Sequence, residues 1–474
     1  MKRFLTILLA SLAVAGLLCV GVSASSFDGA AAELASIGVL KGSAEGFQLD
    51  QVPTRAQAAI MLVRLFGAED EAKAAYAAGE LECPFTDVGE AAAPSVAWLA
   101  AKGLAGGTSA DTFGASSPCT AKAYTIFLLR ALGYRDDADL TAAGAQEFAM
   151  GIGLLDTSLL TGEFLRDDLV SMTYQALGTD LKDGSAYLLE SLIESGAVDA
   201  SAAKPITDKI EAYRALQASG AAMASGVDAD IDAAMEMSVS VSETIGGRGM
   251  DLSEARDASV RGSIRSVVDE DIRMAVDLTV TMDGESRRME MWMKDGVSYV
   301  RSGGEAYRTP VEGMESLQAL LDQPSGKTGA AMLPFIAGIS AKPSGSDTVY
   351  TLTLNDAFAG LLEGVLRTAL QEAPIGMADM DLETTLDGTA ITYTVDKGGE
   401  LKSASVDMTF KAGMEAGAGT EGSMTLRYAV DMEMDMDIKA SGKDVKIAFP
   451  DFSDFKEILG GADGPTGIYG TLIA

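Results

Sequence analysis

Val52-Pro53-Thr54-Arg55-Ala56-Gln57, then an apolar run closing on Arg64-Leu65-Phe66-Gly67, is the stretch on which the fold turns. Its shape returns twice. Thr120-Ala121-Lys122-Ala123 leads through an apolar run to Arg130-Ala131-Leu132-Gly133, and Leu165-Arg166-Asp167-Asp168 leads through another to Gln175-Ala176-Leu177-Gly178. Counted from Thr54, Thr120 and Leu165 to the closing glycine the copies have equal length, and self-similarity of this kind marks a repeat architecture. Thr54 is placed to cap a helix, because its hydroxyl can accept from an orphan backbone N–H. Ile60, Leu62, Val63 and Phe66 then recur at helical spacing, and Gly67 suits a left-handed helix end. Upstream of each copy a shorter apolar segment ends in a glycine turn: Ile37-Gly38-Val39-Leu40, Lys102-Gly103-Leu104-Ala105 and Ile152-Gly153-Leu154-Leu155. Each unit reads as helix, Gly-rich loop, capped helix. One unit cannot bury its apolar face alone, so the three are expected to pack together.

The pattern resembles the S-layer homology (SLH) module, whose repeat opens with Phe-x-Asp-Val and reaches Thr-Arg-Ala-Glu at its second helix. Phe85-Thr86-Asp87-Val88 supplies the opening in the second copy, and Thr54-Arg55-Ala56-Gln57 the helix start in the first. The resemblance covers roughly residues 26–200, with repeats at about 26–67, 84–135 and 138–200. It implies an all-α three-repeat bundle that binds an anionic, pyruvylated secondary cell-wall polysaccharide. The implied chemistry is coherent: a guanidinium meets a carboxylate with two parallel charge-assisted bonds, above a helix N-terminus. Carried over by position, the binding residues are Thr54, Arg55 and Gln57 in the first repeat, Thr120 and Lys122 in the second, and Arg166 and Asp168 in the third. The second copy has Ala121 where arginine is expected, with Lys122 beside it. One groove thus reads as intact, one as partial and one as degraded; the bland alternative for both arginines is a solvated helix-start side chain.

At the N-terminus Met1-Lys2-Arg3 precedes an apolar run over residues 4–20, and Val22-Ser23-Ala24 ends it with small residues. This reads as a secretory signal over 1–24 rather than a membrane span, with the mature chain starting near Ser25. Leu18 before Cys19 argues against a lipidated cysteine.

The 474-residue chain carries 36 basic and 69 acidic residues, no histidine and a formal charge of −33. Both halves are acidic, with 25 acids against 11 bases over residues 25–204 and 44 against 23 after them. That balance argues against nucleic acid and anionic lipid surfaces as partners. The absence of histidine excludes Ser-His-Asp chemistry and histidine-containing zinc sites. No cofactor or metal is implied. Outside the signal, Cys83 and Cys119 bracket the second repeat, and in an exported chain they are either a disulfide or two separate thiols.

Asp199-Ala200-Ser201-Ala202-Ala203-Lys204-Pro205 reads as a boundary, with a linker at 201–206. Helical spacing follows in Ile206, Ile210, Tyr213 and Leu216, and then the period switches to two. Met235, Met237, Val239 and Val241 alternate with polar residues; so do the runs 272–278, 289–293, 350–354, 391–395, 406–410 and 426–438. Such strands have one buried and one wet face. Asp283-Gly284, Asp295-Gly296 and Asp387-Gly388 read as turns between them. Helices are expected between 311 and 339 and between 355 and 370. The region 207–455 is therefore read as an α+β domain: a large antiparallel sheet with helices on its concave face. Met293-Lys294-Asp295-Gly296-Val297-Ser298-Tyr299-Val300, with Tyr307-Arg308-Thr309-Pro310, resembles bacterial lipoproteins of the lipoprotein-carrier (LolA/LppX-like) type. That resemblance implies a half-open β-barrel closed by helices over an apolar cavity.

Met289, Met291 and Met293 share one strand face, as do Met432, Met434 and Met436. Flexible methionines suit an irregular lipid-like ligand and equally suit an ordinary core. Asp228, Asp230 and Asp232 open like a calcium loop, but Ala233 stands where the turn needs glycine and Val239 where the bidentate glutamate belongs, so an EF-hand is rejected. The Gly-rich tail at 456–474 contains Gly460-Gly461-Ala462-Asp463-Gly464-Pro465-Thr466, similar to a short motif in the membrane subunit of sodium-pumping decarboxylases; no function transfers with it. The favoured expectation is a non-catalytic, secreted cell-wall or S-layer protein, anchored through the repeats, whose second domain binds an apolar ligand or is structural. The alternative is a wall-anchored hydrolase acting through paired carboxylates.

Overall fold

The computed structural model describes residues 27–135, 139, 141, 143–155, 163–245, 248–269, 272–310, 330–358, 381–419 and 422–457. The expected signal, the Gly-rich tail beyond 457 and most of the two helices expected over the sheet lie outside the described residues. Helices come first: α1 (Asp28–Ser36), α2 (Arg55–Leu65), α3 (Glu69–Ala77), α4 (Ala93–Ala101), α5 (Ala121–Ala131), α6 (Ala145–Gly151), α7 (Arg166–Leu177), α8 (Leu188–Glu194) and α9 (Ala200–Gly220). Among the described residues no helix is long and apolar enough to cross a membrane.

The expected local chemistry is present. Thr54 Oγ1 accepts the Gln57 N–H at 3.2 Å while Gln57 Oε1 accepts the Thr54 N–H at 2.9 Å, a reciprocal cap on α2. Thr120 caps α5 through the Ala123 N–H at 3.2 Å. At α7 only the returning half survives: Leu165 has no acceptor, and Asp168 Oδ2 takes the Leu165 N–H at 2.7 Å. The shorter helices α1, α4 and α6 end alike. Gly38, Gly103 and Gly153 have φ of 80°, 69° and 74°. The following residues bond back five positions, Val39 to Leu34 O (2.9 Å), Leu104 to Leu99 O (2.8 Å) and Leu154 to Ala149 O (2.9 Å).

The helix starts are knitted together by backbone. The Cys119 N–H donates to Pro53 O at 2.8 Å, and the Arg55 and Ala56 N–H groups to Ser117 O (2.9 Å) and Ala115 O (3.1 Å). The Arg166 and Asp167 N–H groups donate to Gln51 O (2.8 Å) and Leu49 O (3.0 Å). First-turn donors that have no partner within a helix are thereby satisfied by a neighbouring loop. Leu34, Leu62, Leu99, Phe113, Tyr124, Phe127, Leu128 and Tyr174 are buried behind these starts. The Tyr124 hydroxyl meets Thr173 Oγ1 at 2.5 Å.

Segment 201–206 is helical, which corrects the expected linker. Asp199 Oδ1 caps α9 on the Ser201 (3.0 Å) and Ala202 (2.9 Å) N–H groups, and the chain runs on through Pro205 to Gly220. Pro205 has no N–H for the Ser201 carbonyl, but both residues are exposed, so water can serve that carbonyl. Burial of Ile206, Ile210, Tyr213 and Leu216 holds the helix against both the bundle and the sheet.

Among the described residues the sheet has twelve strands in the order β12-β6-β5-β4-β3-β2-β1-β11-β10-β9-β8-β7, antiparallel except for a short parallel β12–β6 pairing. They are β1 (Gly226–Ile245), β2 (Arg248–Val268), β3 (Ile272–Met282), β4 (Glu285–Lys294), β5 (Val297–Ser302), β6 (Glu305–Pro310), β7 (Ile336–Ser344), β8 (Asp347–Leu354), β9 (Asp381–Val395), β10 (Leu401–Gly419), β11 (Gly422–Ser441) and β12 (Lys456–Glu457). Every run expected to alternate lies in a strand, and the sheet is open. Asp283-Gly284 and Asp295-Gly296 make the expected hairpin turns, all four residues at positive φ. Asp387-Gly388 does not. It lies inside β9, where Gly388 at φ 68° accompanies a register shift against β10, so the left-handed glycine makes a bulge rather than a turn. The helix expected up to 339 also stops short: Pro334 sits in a 3-10 turn (Ala330–Phe335), and β7 begins at Ile336. The helix expected from 355 opens at Ala357 and Phe358.

One sheet face is apolar, with Ile231, Ala233, Met235, Val260, Met432 and Met434 buried. Its β8–β10 end, through Leu352, Ile391, Val395 and Phe410, belongs to one continuous core with the helices. Phe27 meets Phe335 edge to face at 5.1 Å, and a Cβ on Gly178 would lie 2.9 Å from the Leu333 side-chain tip, so Leu333 packs closely on α7 there. At this junction the Lys209 ammonium donates to both Glu33 carboxylate oxygens (2.9 and 3.0 Å) and to Ile336 O (3.1 Å), and the Tyr174 hydroxyl donates to Glu33.

Candidate functional site

The starts of α2, α5 and α7 gather at one end of the helical region, around backbone 49–54. With them come all the residues read from sequence as polysaccharide-binding: Thr54, Arg55 and Gln57; Thr120 and Lys122; Arg166 and Asp168. Gln57, Thr120 and Lys122 are exposed, and Thr54, Arg55, Arg166 and Asp168 half-buried.

Arg55 is not a freely solvated side chain. Its guanidinium lies over two rings, Phe113 at 4.9 Å and Phe127 at 4.8 Å, and donates from Nη2 to Gly106 O at 2.8 Å. Its Nε is buried and, among the described residues, has no hydrogen-bond partner. Burial lowers its pKa from the ordinary value; the Cys119 thiol opposes this and Arg130 adds to it. A flat cation with donors still uncommitted, on an aromatic floor, can take a carboxylate edge-on.

Arg166 meets the corresponding loop of another repeat through different contacts. Its Nη1 donates to Gln48 Oε1 at 3.1 Å and Phe47 O at 3.4 Å. Phe47-Gln48 and Phe113-Gly114 are corresponding positions: Gln48 and Gly114 have φ of 53° and 78°, and each pair receives an arginine from a neighbouring helix start. The start of α5 carries no arginine. Lys122 projects into solvent, and the loop it would meet lies partly outside the described residues.

Three features were not singled out from sequence as site residues. Asp87 is the first: its carboxylate accepts the N–H groups of Phe113 (2.7 Å), Gly114 (2.7 Å) and Ala115 (3.1 Å), which hold its pKa below the usual range. Asp167 is the second: burial pushes its pKa up to about 7, against the pull of the Phe27 N–H at 2.7 Å. Burial also raises Asp168, against the Leu165 N–H. The third is the Phe113–Phe127 floor. Only the Phe-x-Asp-Val spelling could have pointed to Asp87; the ring contacts are long-range.

Cys83 and Cys119 are two separate free thiols in this structure. Each Sγ is turned to a local carbonyl, Cys83 to Phe85 O at 3.7 Å and Cys119 to Thr120 O at 3.8 Å. Burial pushes the Cys119 thiol up to about 11, so it stays protonated at neutral pH. Both tryptophans are 8% exposed, which leaves neither as a sugar-stacking platform. Trp98 donates to Glu71 at 3.2 Å; Trp292 lies on the face opposite the methionines, under Phe452 and Phe455.

The methionine triplets share the apolar face but lie on β4 and β11, with three strands between them. Met293, Met432 and Met434 are buried, while Met289, Met291 and Met436 are partly exposed. They line neither of two cavities. One, of about 190 Å³, lies between α7, α9 and Leu333. The other, of about 560 Å³, is an open basin on the polar face among Asp230, Asp232, Asp435, Asp437, Arg261 and Arg288. Cross-strand register there sets like charges opposite each other, Asp230 to Asp437 and Asp232 to Asp435, relieved by Arg261 on Asp232 (2.8 Å) and Lys439 on Asp230 (3.3 Å). Asp228, Asp230 and Asp232 lie along a strand beside cations, not on a loop. Among the described residues no acidic or cysteine cluster has metal-holding geometry.

A family model of the S-layer homology domain matches residues 84–120, from just before Phe85 to the cap of α5. No curated protein matches the chain. Among solved structures, LprF from Mycobacterium bovis is 13% identical over 51% of this chain and 97% of its own, with a TM-score of 0.22. The ywiB protein from Bacillus subtilis is 9% identical over 42% of this chain and 91% of its own, with a TM-score of 0.09. Neither superposition is close enough to establish a shared fold.

Proposed function

We propose that this chain is a non-catalytic cell-envelope protein that attaches to an anionic, pyruvylated wall polysaccharide through three S-layer homology repeats. The matched segment 84–120 implies association with the cell wall. The observation that carries the finer reading is the pair of corresponding arginines, Arg55 on Phe113-Gly114 and Arg166 on Phe47-Gln48, each between one helix start and the next loop. Recurrence of a helix-start arginine against corresponding loops, within and beyond the matched segment, supports repeats at about 26–67, 84–135 and 138–200. The polymer's carboxylate meets the guanidinium, and the helix N-terminus below adds its positive end. The start of α5, with Ala121 and Lys122, contributes least.

The α+β region read at 207–455, which carries most of the sheet, is the exported domain. Its methionine-bearing apolar face is the wall of a half-open barrel that receives a lipid-like molecule, a reading supported by its strand order and by the partial exposure of Met289, Met291 and Met436.

Sedimentation of the full-length chain with purified sacculi tests the anchoring. Arg55→Ala is expected to weaken retention more than Lys122→Ala, by about 1.5–3 kcal/mol for a lost charge-assisted contact. Equal retention of the wild type and the Arg55→Ala, Arg166→Ala double variant would refute the site. Saturable uptake of an environment-sensitive fatty-acid probe, abolished by Met291→Trp with Met434→Trp at a nearly unchanged thermal midpoint, is the result expected of a lipid cavity. Non-saturating uptake with a large stability loss would leave only a packed core.

A further inference from the structure

Phe85-Thr86-Asp87-Val88 holds the loop that forms the groove floor. The Asp87 carboxylate gathers three successive N–H groups, Phe113 on Oδ1 and Gly114 and Ala115 on Oδ2, at 2.7, 2.7 and 3.1 Å. The Thr86 N–H and hydroxyl both donate to Asp111 O, at 2.9 and 3.2 Å. The Phe85 ring packs on Phe113 with centroids 5.4 Å apart, and a Cβ on Gly107 would come within 2.5 Å of that ring, so the loop closes over Phe85 only with glycine there. The loop held in this way is the one that meets the preceding helix start. Its Ala115 and Ser117 carbonyls take the Ala56 and Arg55 N–H groups, Gly106 O takes the guanidinium, and the Phe113 ring lies beneath it.

We propose that Asp87, seconded by Phe85, is a positioning residue that sets Arg55 for the anionic ligand across the boundary between two repeats; this rests on the anchoring proposed above. A carboxylate presents only acceptors, so each of three converging N–H groups meets a lone pair. An amide at the same place turns an NH₂ toward them and opens the loop. Released from the loop, Phe113 no longer fixes the plane of the guanidinium, and Arg55 reverts to a solvated side chain whose fork must be ordered at the moment of binding.

The test uses the full-length chain and two readouts. The first needs no ligand: the Arg55 Nε–Hε resonance, identified by its loss in Arg55→Lys, is expected to be displaced by the ring currents of Phe113 and Phe127. Asp87→Asn should return it toward the position of a free arginine. Asp139→Asn, which removes a carboxylate that takes the Arg135 N–H and pairs with Lys182, should leave it in place. The second readout is retention on sacculi carrying pyruvylated polysaccharide, expected to weaken about tenfold or more in Asp87→Asn. Phe85→Leu, a milder change, should shift the resonance the same way and serves if Asp87→Asn does not fold. An unmoved Arg55 resonance in either variant overturns the assignment. If the resonance moves but even the wild type fails to bind sacculi, the positioning stands and the anchoring reading falls.

Discussion

Asp167 takes the Phe27 N–H at 2.7 Å from a half-buried site, and burial carries its pKa up to about 7 from an unfolded value near 3.9. Between those values the folded chain holds a proton that the unfolded chain has lost. The group's contribution is therefore complete below about pH 4 and is lost as pH rises through about 7. Asp167→Asn keeps an oxygen for Phe27 and removes the ionisation. Its unfolding free energy should match wild type near pH 4 and exceed it at pH 8 by on the order of 1–3 kcal/mol, read from denaturant midpoints; parallel curves from pH 4 to 8 would contradict this. Glu69 has the opposite sign. Arg64, foremost, with Lys41 and Lys73, holds its carboxylate below the usual range, so its stabilisation is present above about pH 4 and lost on further acidification. Glu69→Gln should lower stability at pH 7 by about 1 kcal/mol and converge with wild type in acid, read from denaturant midpoints.

At the scale of elements, much was legible because the signals are local. Thr54 and Thr120 cap where their side chains can reach, Gly38, Gly103 and Gly153 turn because no Cβ opposes it, and alternation put every strand run in a strand. What sequence could not give depends on partners far along the chain. Asp87 reaches 26–28 residues on, and Arg55 reaches 51 residues to Gly106. Asp387-Gly388 spells a hairpin, but its strand keeps the same neighbour on both sides, so the same left-handed glycine yields a bulge. The Ala-rich stretch after Asp199 carried a linker's composition and a helix's propensity; burial of Ile206 and Ile210 decided between them. Strand register likewise explains the paired acids. Asp437→Asn removes one of two like charges facing each other across β1 and β11, and should stabilise by ~0.2–1 kcal/mol at low salt. The gain should shrink at 1 M salt, where screening acts within about 3 Å; an undiminished gain would point away from electrostatics.

For the whole molecule, the decisive contact is Lys209 on Glu33 and Ile336 O, beneath Tyr174. It joins α9, α1, α7 and β7 at one buried point. Lys209→Met would leave Glu33 half-buried without its cation, at a cost of about 3–5 kcal/mol, and Lys209→Met with Glu33→Gln should recover part of that loss. Because the core is continuous, calorimetry of the wild type should show one transition spanning helices and sheet; two separated transitions would contradict the shared core.

Ala200–Gly220, running unbroken from the bundle into that core, has a geometric consequence. A swivel at residues 201–206 would let the sheet tumble about its anchorage. A helix packed on both sides gives it a heading instead. On the proposed anchoring through the three helix starts, strands of twenty residues, about 65 Å at 3.3 Å each, would lie at one fixed angle to the surface. Many copies on one envelope would then form a texture, with every apolar face turned the same way.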